Sequence, residues 1–234
     1  MNRILAFFCP PKCPYCSKPL KYDMTECLVC RAKFPKMPRI EPLPTGEICV
    51  APFTYSSVIR KAILDYKFKG KKFNAESLAG AMAASIRNVY NKDMSFELIT
   101  CVPMSNDRKK VRGFNQSELI AQYAAKLLDK PFEKLLCRDD GAMIQHELTY
   151  EQRINNQDKT FHVLSAERIK GKKLLLIDDV MTTGSTLSRC SSILKDAGAE
   201  RVFCAAVAIV KGYSFTNTIT CYQAAKQKEK KKGC

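Results

Sequence analysis

The run Leu174-Leu-Leu-Ile-Asp-Asp-Val-Met-Thr-Thr-Gly-Ser-Thr186 joins an apolar stretch, two adjacent carboxylates and a small hydroxyl-rich turn. Leu174 to Ile177 are too apolar for a half-exposed strand and predict one buried on both faces of a parallel sheet. Ser185 to Ala197 carry helical spacing that Gly198 ends, so Asp178 to Gly184 are expected as a strand-to-helix turn. Free backbone N–H groups and the helix dipole at such a turn favour an anion. Thr182, Thr183, Ser185 and Thr186 add hydroxyl donors, and Gly184 lets the backbone come close. That half of the turn suits a phosphate. Asp178 and Asp179 would repel one, but they can accept hydrogen bonds from a vicinal diol or hold a magnesium ion. A helix cap needs only one side chain, so capping does not account for the pair. The Gly-x-x-x-x-Gly-Lys-Ser/Thr pattern of a mononucleotide loop is absent.

Outward from this turn, apolar strands alternate with amphipathic helices, the pattern of a parallel sheet covered on both faces. Strands are expected near Ile48–Phe53, Leu98–Pro103, Lys173–Asp178 and Arg201–Val210. Helices are expected near Ser57–Tyr66, Ala75–Asn91, Gln116–Leu128 and Ser185–Ala197. In such sheets ligands bind at the carboxyl ends of the strands, where the Asp178 turn falls.

The front of the chain has a different character. Cys13-Pro-Tyr-Cys16 and Cys27-Leu-Val-Cys30 are two Cys-x-x-Cys knuckles separated by ten residues. That spacing lets four thiolates surround one zinc ion in a small ribbon-like module, a closed structural site with no open position for chemistry. Cys9 is expected as a bystander. Pro35, Pro38, Pro42 and Pro44 predict a stiff linker and a boundary near Thr45. The expected organisation is a cysteine module with linker over 1–45, an α/β domain over 46–215 and a basic tail over 216–234. His146 and His162 are expected as surface or core residues without a catalytic part.

With 39 basic and 23 acidic residues the formal charge is +16, large for an enzyme of small anionic metabolites, and it points to an acidic polymer as partner. No run approaches the roughly 20 apolar residues a bilayer crossing needs, and the start of the chain lacks signal-peptide character. Cytoplasmic placement without membrane insertion is the expectation. Lys67-Phe-Lys-Gly-Lys-Lys-Phe73 sets Lys67, Lys69, Lys71 and Lys72 among aromatics, the mixture that single-stranded nucleic acid favours, with a solvated loop as the plain alternative. Arg108, Lys109, Lys110 and Arg112 crowd a second loop at a strand end. Gln145-x-x-Leu148 and Arg153-x-x-Asn156 form a third polar set, and the lysine-rich tail from Lys226 a fourth charged segment.

The Asp178 segment resembles the phosphoribosyl-pyrophosphate (PRPP) loop of type I phosphoribosyltransferases. The order of Arg108-x-x-x-Arg112-Gly113-Phe114-Asn115-Gln116, Gln145-x-x-Leu148, Arg153-x-x-Asn156 and the Asp178 loop, behind a double Cys-x-x-Cys, resembles the ComF family from about Cys13 to Val210. Two positions depart from that pattern: Cys101 stands where proline is common and Ser105 where histidine is common. The resemblance implies a type I phosphoribosyltransferase fold, an α/β parallel sheet flanked by helices, with a small N-terminal four-cysteine zinc ribbon. It implies that Asp178 and Asp179 are the catalytic pair on the ribose hydroxyls. Val180, Met181, Thr182, Thr183, Gly184, Ser185 and Thr186 would wrap the 5′-phosphate of PRPP, with magnesium accompanying it. Arg108, Arg112, Gly113, Phe114, Asn115 and Gln116 would form a flexible loop that closes over PRPP. The implied function is handling of incoming single-stranded DNA in the cytosol during natural transformation, with Lys67, Lys69, Lys71, Lys72, Lys109 and Lys110 on the DNA. Partners would be single-stranded DNA, PRPP and other DNA-uptake proteins of the cytosol or inner membrane, which would give the protein a peripheral place at that membrane. The alternative is an active phosphoribosyltransferase that joins a base or amine to ribose 5-phosphate and releases pyrophosphate.

Overall fold

The computed structural model describes residues 10–21, 23–90, 95–138 and 161–210. In chain order these form α1 (Leu28–Ala32), β1 (Arg39–Pro42), β2 (Ile48–Ala51), β3 (Phe53–Thr54), α2 (Ser57–Phe68) and α3 (Asn74–Tyr90). Then follow β4 (Leu98–Cys101), α4 (Asn106–Arg112), α5 (Gln116–Leu128), β5 (Leu136–Arg138), β6 (Phe161–Val163), β7 (Lys173–Met181), α6 (Ser185–Asp196) and β8 (Arg201–Ile209). The sheet order is β1-β2-β8-β7-β4, with β3 pairing farther along β8. Only β1 runs antiparallel to its neighbour. Pro52 has no N–H for the ladder and divides the strand expected over Ile48–Phe53 into β2 and β3.

β7 lies between β4 and β8, and its apolar residues alternate between two cores. Leu175 and Ile177 pack with Tyr66, Leu78, Met82, Ile86 and Ile120 from α2, α3 and α5. Leu174 and Leu176 pack with Leu187, Cys190 and Leu194 of α6 and with Leu136 and Phe161 of the β5–β6 hairpin. All four β7 residues are fully buried. At roughly 2 kcal/mol for each buried aliphatic side chain, this run places the strand in the middle of the sheet. The outer edge of β4 is closed by the segment after α5: Ile99 N–H donates to Pro131 O at 2.9 Å, and Glu133 N–H to Ile99 O at 2.9 Å.

The structure departs from the pattern reading in three places. β7 continues past Asp178, pairing Asp178 with Ala206, Val180 with Ala208 and Met181 with Ile209, because β8 extends alongside it. The turn proper is therefore Thr182–Gly184. The proline-rich stretch supplies β1, whose register pairs Ile40 with Val50 and Pro42 with Ile48 at the edge of the main sheet. The loop expected around Arg108 contains α4, capped by Ser105, whose Oγ accepts from Arg108 N–H, and closed by Gly113 at φ +76°. This helix buries no residue, so it has no apolar stripe for periodicity to detect. The polar set from Gln145 to Asn156, His146, Cys9 and the tail from Lys226 lie outside the described residues. His162, on β6, is buried.

The cysteine module packs directly on the main domain. Tyr15, between Cys13 and Cys16, is 5% exposed and its hydroxyl lies 3.0 Å from Ser77 Oγ on α3. Its ring meets Phe34 at 5.0 Å and Phe53 at 6.0 Å, with Phe34 and Phe53 4.9 Å apart, all in edge-on geometry. A bridge between Lys12 and Pro19 brackets the first knuckle. The second knuckle opens α1, with Cys27 as its N-cap. Tyr15→Ala, which removes the shared aromatic contact, is expected to lower unfolding stability by about 3 kcal/mol and to leave a single transition in urea denaturation followed by fluorescence and circular dichroism. Two separated transitions in the wild-type protein would show that module and domain fold independently.

Candidate functional site

At the carboxyl end of β7 the apolar run gives way to the acidic pair. Asp178 Oδ1 accepts from Ser117 Oγ at 2.8 Å and from the Asp179 backbone N–H at 2.8 Å. Ser117 is 4% exposed on the first turn of α5, a helix whose start is set by Asn115, whose Oδ1 accepts from the N–H groups of Ser117 and Glu118. Burial, then the neighbouring Asp179 charge, pushes the Asp178 carboxyl well above the usual range, up to about 7, against the lowering effect of those two donors. Asp179 Oδ2 is paired with Lys67 Nζ at 2.7 Å, and both side chains are largely enclosed, at 13% and 16% exposure.

The turn beyond the pair is compact. Thr183 Oγ1 donates to Ser185 Oγ at 3.0 Å and accepts from Ser185 N–H at 3.3 Å. Gly184 caps α6 with φ +77°, and a methyl group there would lie 2.7 Å from Leu43 Cδ2 of the β1–β2 turn. The glycine is therefore favoured by its backbone angle and by the close packing of Leu43 against it. Glu47 holds that β1–β2 turn in place: its side chain accepts from Thr45 and Ser191 and pairs with Lys195 of α6. A small cleft is lined by Asp178, Val180, Met181, Thr182, Gly184, Ser185, Thr186 and Leu187, which brings the expected phosphate-turn residues together beside the first carboxylate.

Two basic segments that read as separate loops meet each other. The Arg112 guanidinium stacks 4.8 Å from the Phe68 ring centroid and donates to Gln116 Oε1 at 3.0 Å. Lys72 Nζ lies 5.2 Å from the centroid of Phe114, whose ring packs on Tyr66 at 5.3 Å. Tyr66 OH donates to Gln116 O at 2.8 Å, and Asn115 Nδ2 to Val102 O at 3.2 Å. The segment from Arg112 to Gln116, expected to be flexible, is thus tied to α2 and to the end of β4. Arg108, Lys109 and Lys110 lie on the outward α4, with Lys110 3.7 Å from Asp107.

The lysines of the α2 end divide into two sets. Asp65, 4% exposed, gathers Lys61 at 3.4 Å, Lys69 at 2.9 Å and Lys71 at 2.8 Å. The Lys71 ammonium, with Lys69 and Lys61, holds its carboxyl far below the usual range. Lys67 instead faces the acidic pair, which sequence spacing alone did not indicate. Ser117, Tyr66 and Leu43 also belong to the site or its support without having been singled out. The available signal for Ser117 was its place next to Gln116 at the start of a predicted helix.

The four expected metal ligands do come together: the sulfurs of Cys13, Cys16, Cys27 and Cys30 all lie within 4.8 Å of one another, a set that can hold a metal ion. Cys30 N–H donates to Cys27 Sγ at 3.4 Å, and this backbone contact brings the Cys27 thiol down to about 7. Burial and then the neighbouring thiols push Cys30 upward.

Residues 118–234, half of the chain, match the phosphoribosyl transferase domain family. Competence protein F of Haemophilus influenzae is 26% identical over 82% of this chain and 82% of its own length. Competence protein ComFC of Streptococcus pneumoniae is 31% identical over 64% of this chain and 63% of its own. DNA utilization protein YhgH of Escherichia coli K12 is 26% identical over 81% and 80%. The chain belongs to the ComF family. In this ComF-family chain the resembling Arg112–Gln116 motif and the Asp178 turn, distant in sequence, are linked through Ser117, the residue directly after that motif.

The acidic pair carries a pH signature. A carboxyl whose folded value lies above its unfolded one binds its proton more tightly when folded, so it contributes no penalty at low pH and destabilises the fold as pH rises from about 4 through about 7. Asp178→Asn keeps both acceptor contacts without the charge. It is expected to be more stable than wild type at pH 8, by about 1–3 kcal/mol, with the gap closing toward pH 4. A difference in urea midpoint that is flat between pH 4 and pH 8 would contradict the burial argument.

Proposed function

We propose that this protein binds single-stranded DNA in the cytosol during natural transformation and carries a PRPP site at the end of β7. The observation that carries the reading is the clustering of basic and aromatic side chains on the segments that reach the acidic pair through Lys67 and Ser117: Arg112 on Phe68, Lys72 on Phe114, and α4 presenting Arg108, Lys109 and Lys110 outward. Lysines meet backbone phosphates, and aromatic faces accept bases without regard to sequence. The names of the relatives, two concerned with competence and one with DNA utilization, support a polymeric partner, as does the charge of +16. None of the helices among the described residues is long and apolar enough to cross a membrane. Inner-membrane DNA-uptake proteins would then be met at the surface.

In this reading Asp178 and Asp179 accept hydrogen bonds from the ribose hydroxyls of PRPP, and Val180 to Thr186 surround its 5′-phosphate. Magnesium would travel with the pyrophosphate. The ammonium of Lys67 at Asp179 Oδ2 already occupies a position where a cation held by the pair would sit, so the pair is assigned to hydroxyls. The second reading, transfer of ribose 5-phosphate to a base or amine, is favoured by the proximity of the acidic pair to the phosphate turn. The clustered cations would then stabilise the leaving pyrophosphate.

Zinc is the ion that the cysteine module is assigned. Four sulfurs at these separations fit a tetrahedral ion with bonds of about 2.3 Å and leave no position for substrate, so its part is structural. Cys27→Ser is expected to lose bound zinc and unfold the module locally. Elemental analysis of purified wild-type protein finding no zinc would refute the assignment.

The DNA assignment is tested with a fluorescent single-stranded oligonucleotide near physiological salt. Replacing Lys72, Lys109 and Lys110 together by Ala is expected to weaken binding at least tenfold and to reduce the slope of log affinity against log salt by about 2. Asp178→Asn with Asp179→Asn is expected to abolish PRPP binding while leaving DNA affinity within about threefold. An unchanged salt slope would mean that the cluster is only a solvated surface, and loss of both ligands together would remove the two-site arrangement.

A further inference from the structure

Lys67, expected with its neighbours on a nucleic-acid surface, is largely enclosed and paired with Asp179. It lies two residues beyond Asp65 on α2, about 200° around a helix of 3.6 residues per turn, so the two side chains leave opposite faces. Asp65 collects Lys61, Lys69 and Lys71 on its face, and Lys67 alone of these lysines enters the acidic pair. Its two chain neighbours are each fixed. Tyr66 is held by Gln116 O and Phe114, and Phe68 lies under Arg112. The helix therefore delivers a largely enclosed ammonium to Asp179 Oδ2 at 2.7 Å.

Two adjacent carboxylates at a sugar-phosphate site ordinarily face a difficulty. When both are ionised they repel each other and also repel the phosphate a few ångströms away, and a divalent cation is the usual remedy. Here the remedy is covalently attached to the chain. An ammonium at one oxygen offsets part of the Asp179 charge at close range, while a carboxylate's second oxygen can still accept from a hydroxyl.

We propose that Lys67 is the resident cation of the acidic pair and lets the site bind ribose 5-phosphate without a divalent metal ion. This rests on the assignment of the β7 end as a ribose-phosphate site. Asp65 is part of the arrangement, since it draws the other lysines away from the pair and leaves one positive charge there.

Calorimetric titration of the full chain with ribose 5-phosphate, which lacks the pyrophosphate that would bring its own magnesium, tests the proposal in EDTA and in excess magnesium. The wild-type protein is expected to bind with affinities within about threefold in the two buffers. Lys67→Met is expected to lose at least tenfold in EDTA and to recover most of that loss in magnesium, the metal taking the vacated position. Lys67→Arg, which keeps the charge, is expected to behave as wild type and guards against a fold defect in the first variant. Wild-type binding that requires magnesium would overturn the role of Lys67 and leave the ribose-phosphate site standing. Equal loss by Lys67→Met in both buffers would also overturn it, since the lysine would then contact the ligand and not stand in for a metal. Absence of wild-type binding in either buffer would remove the site assignment itself.

Discussion

Burial of β7 on both faces is the constraint from which the site follows. Leu174 to Ile177 are enclosed between the α2, α3, α5 layer and the α6 layer, and no charged side chain could occupy those positions without heavy desolvation. The first carboxylates can appear only where the covering helices end, which is also where a parallel sheet opens a crevice. Asp178 sits at that limit. It is still desolvated enough to hold its proton tightly, and it is tolerated because Ser117 and the Asp179 N–H donate to it. A chemically useful pair is thus a consequence of where an apolar strand runs out of cover.

The second determinant is how α2 distributes charge. A run with lysines at 61, 67, 69, 71 and 72 would, unaided, be a diffuse basic surface. The buried Asp65 converts it into an ordered arrangement: three lysines are drawn to one carboxylate, one is sent into the site, and Lys72 is left against an aromatic ring. Unneutralised positive charge therefore lies less on this loop than on α4, whose Arg108, Lys109, Lys110 and Arg112 stand against a single acidic residue of that helix, Asp107, near Lys110. Charge counting over the sequence could not reveal this, because it weighs each lysine equally and ignores what lies beneath it.

What was legible in the sequence was whatever depended on short-range pattern. The helix Gln116–Leu128 came out with its observed ends because Asn115 caps it and Lys130-Pro131 follows it. The buried strand, the turn at Gly184 before α6 and the clustering of the four cysteines were readable for the same reason. Long-range pairing was not. β7 reaches Met181 because β8 offers partners as far as Ile209, and β1 forms from a proline-rich stretch because β2 presents an open edge to it. Proline density signals a linker only if no strand stands alongside. The Lys67–Asp179 pair spans 112 positions and has no local signature, and α4 lacks the apolar stripe that marks a helix.

The placement of the cysteine module bears on how these parts act together. Tyr15 lies inside the first knuckle and also in the main core, hydrogen-bonded to α3 and edge-on to Phe53 of β3. Lys61, one of the lysines on Asp65, also donates to Ser17 Oγ at 3.1 Å. The module therefore touches α2 about 1.7 turns before Lys67, through a lysine that also pairs with the carboxylate that sorts the others. A metal that orders the knuckle orders Tyr15 and Ser17, and with them the helix that supplies both the ammonium at Asp179 and the Phe68 ring beneath Arg112. An ion held by the four cysteines would thereby bear on the geometry at the far end of α2 through packing and not through chemistry.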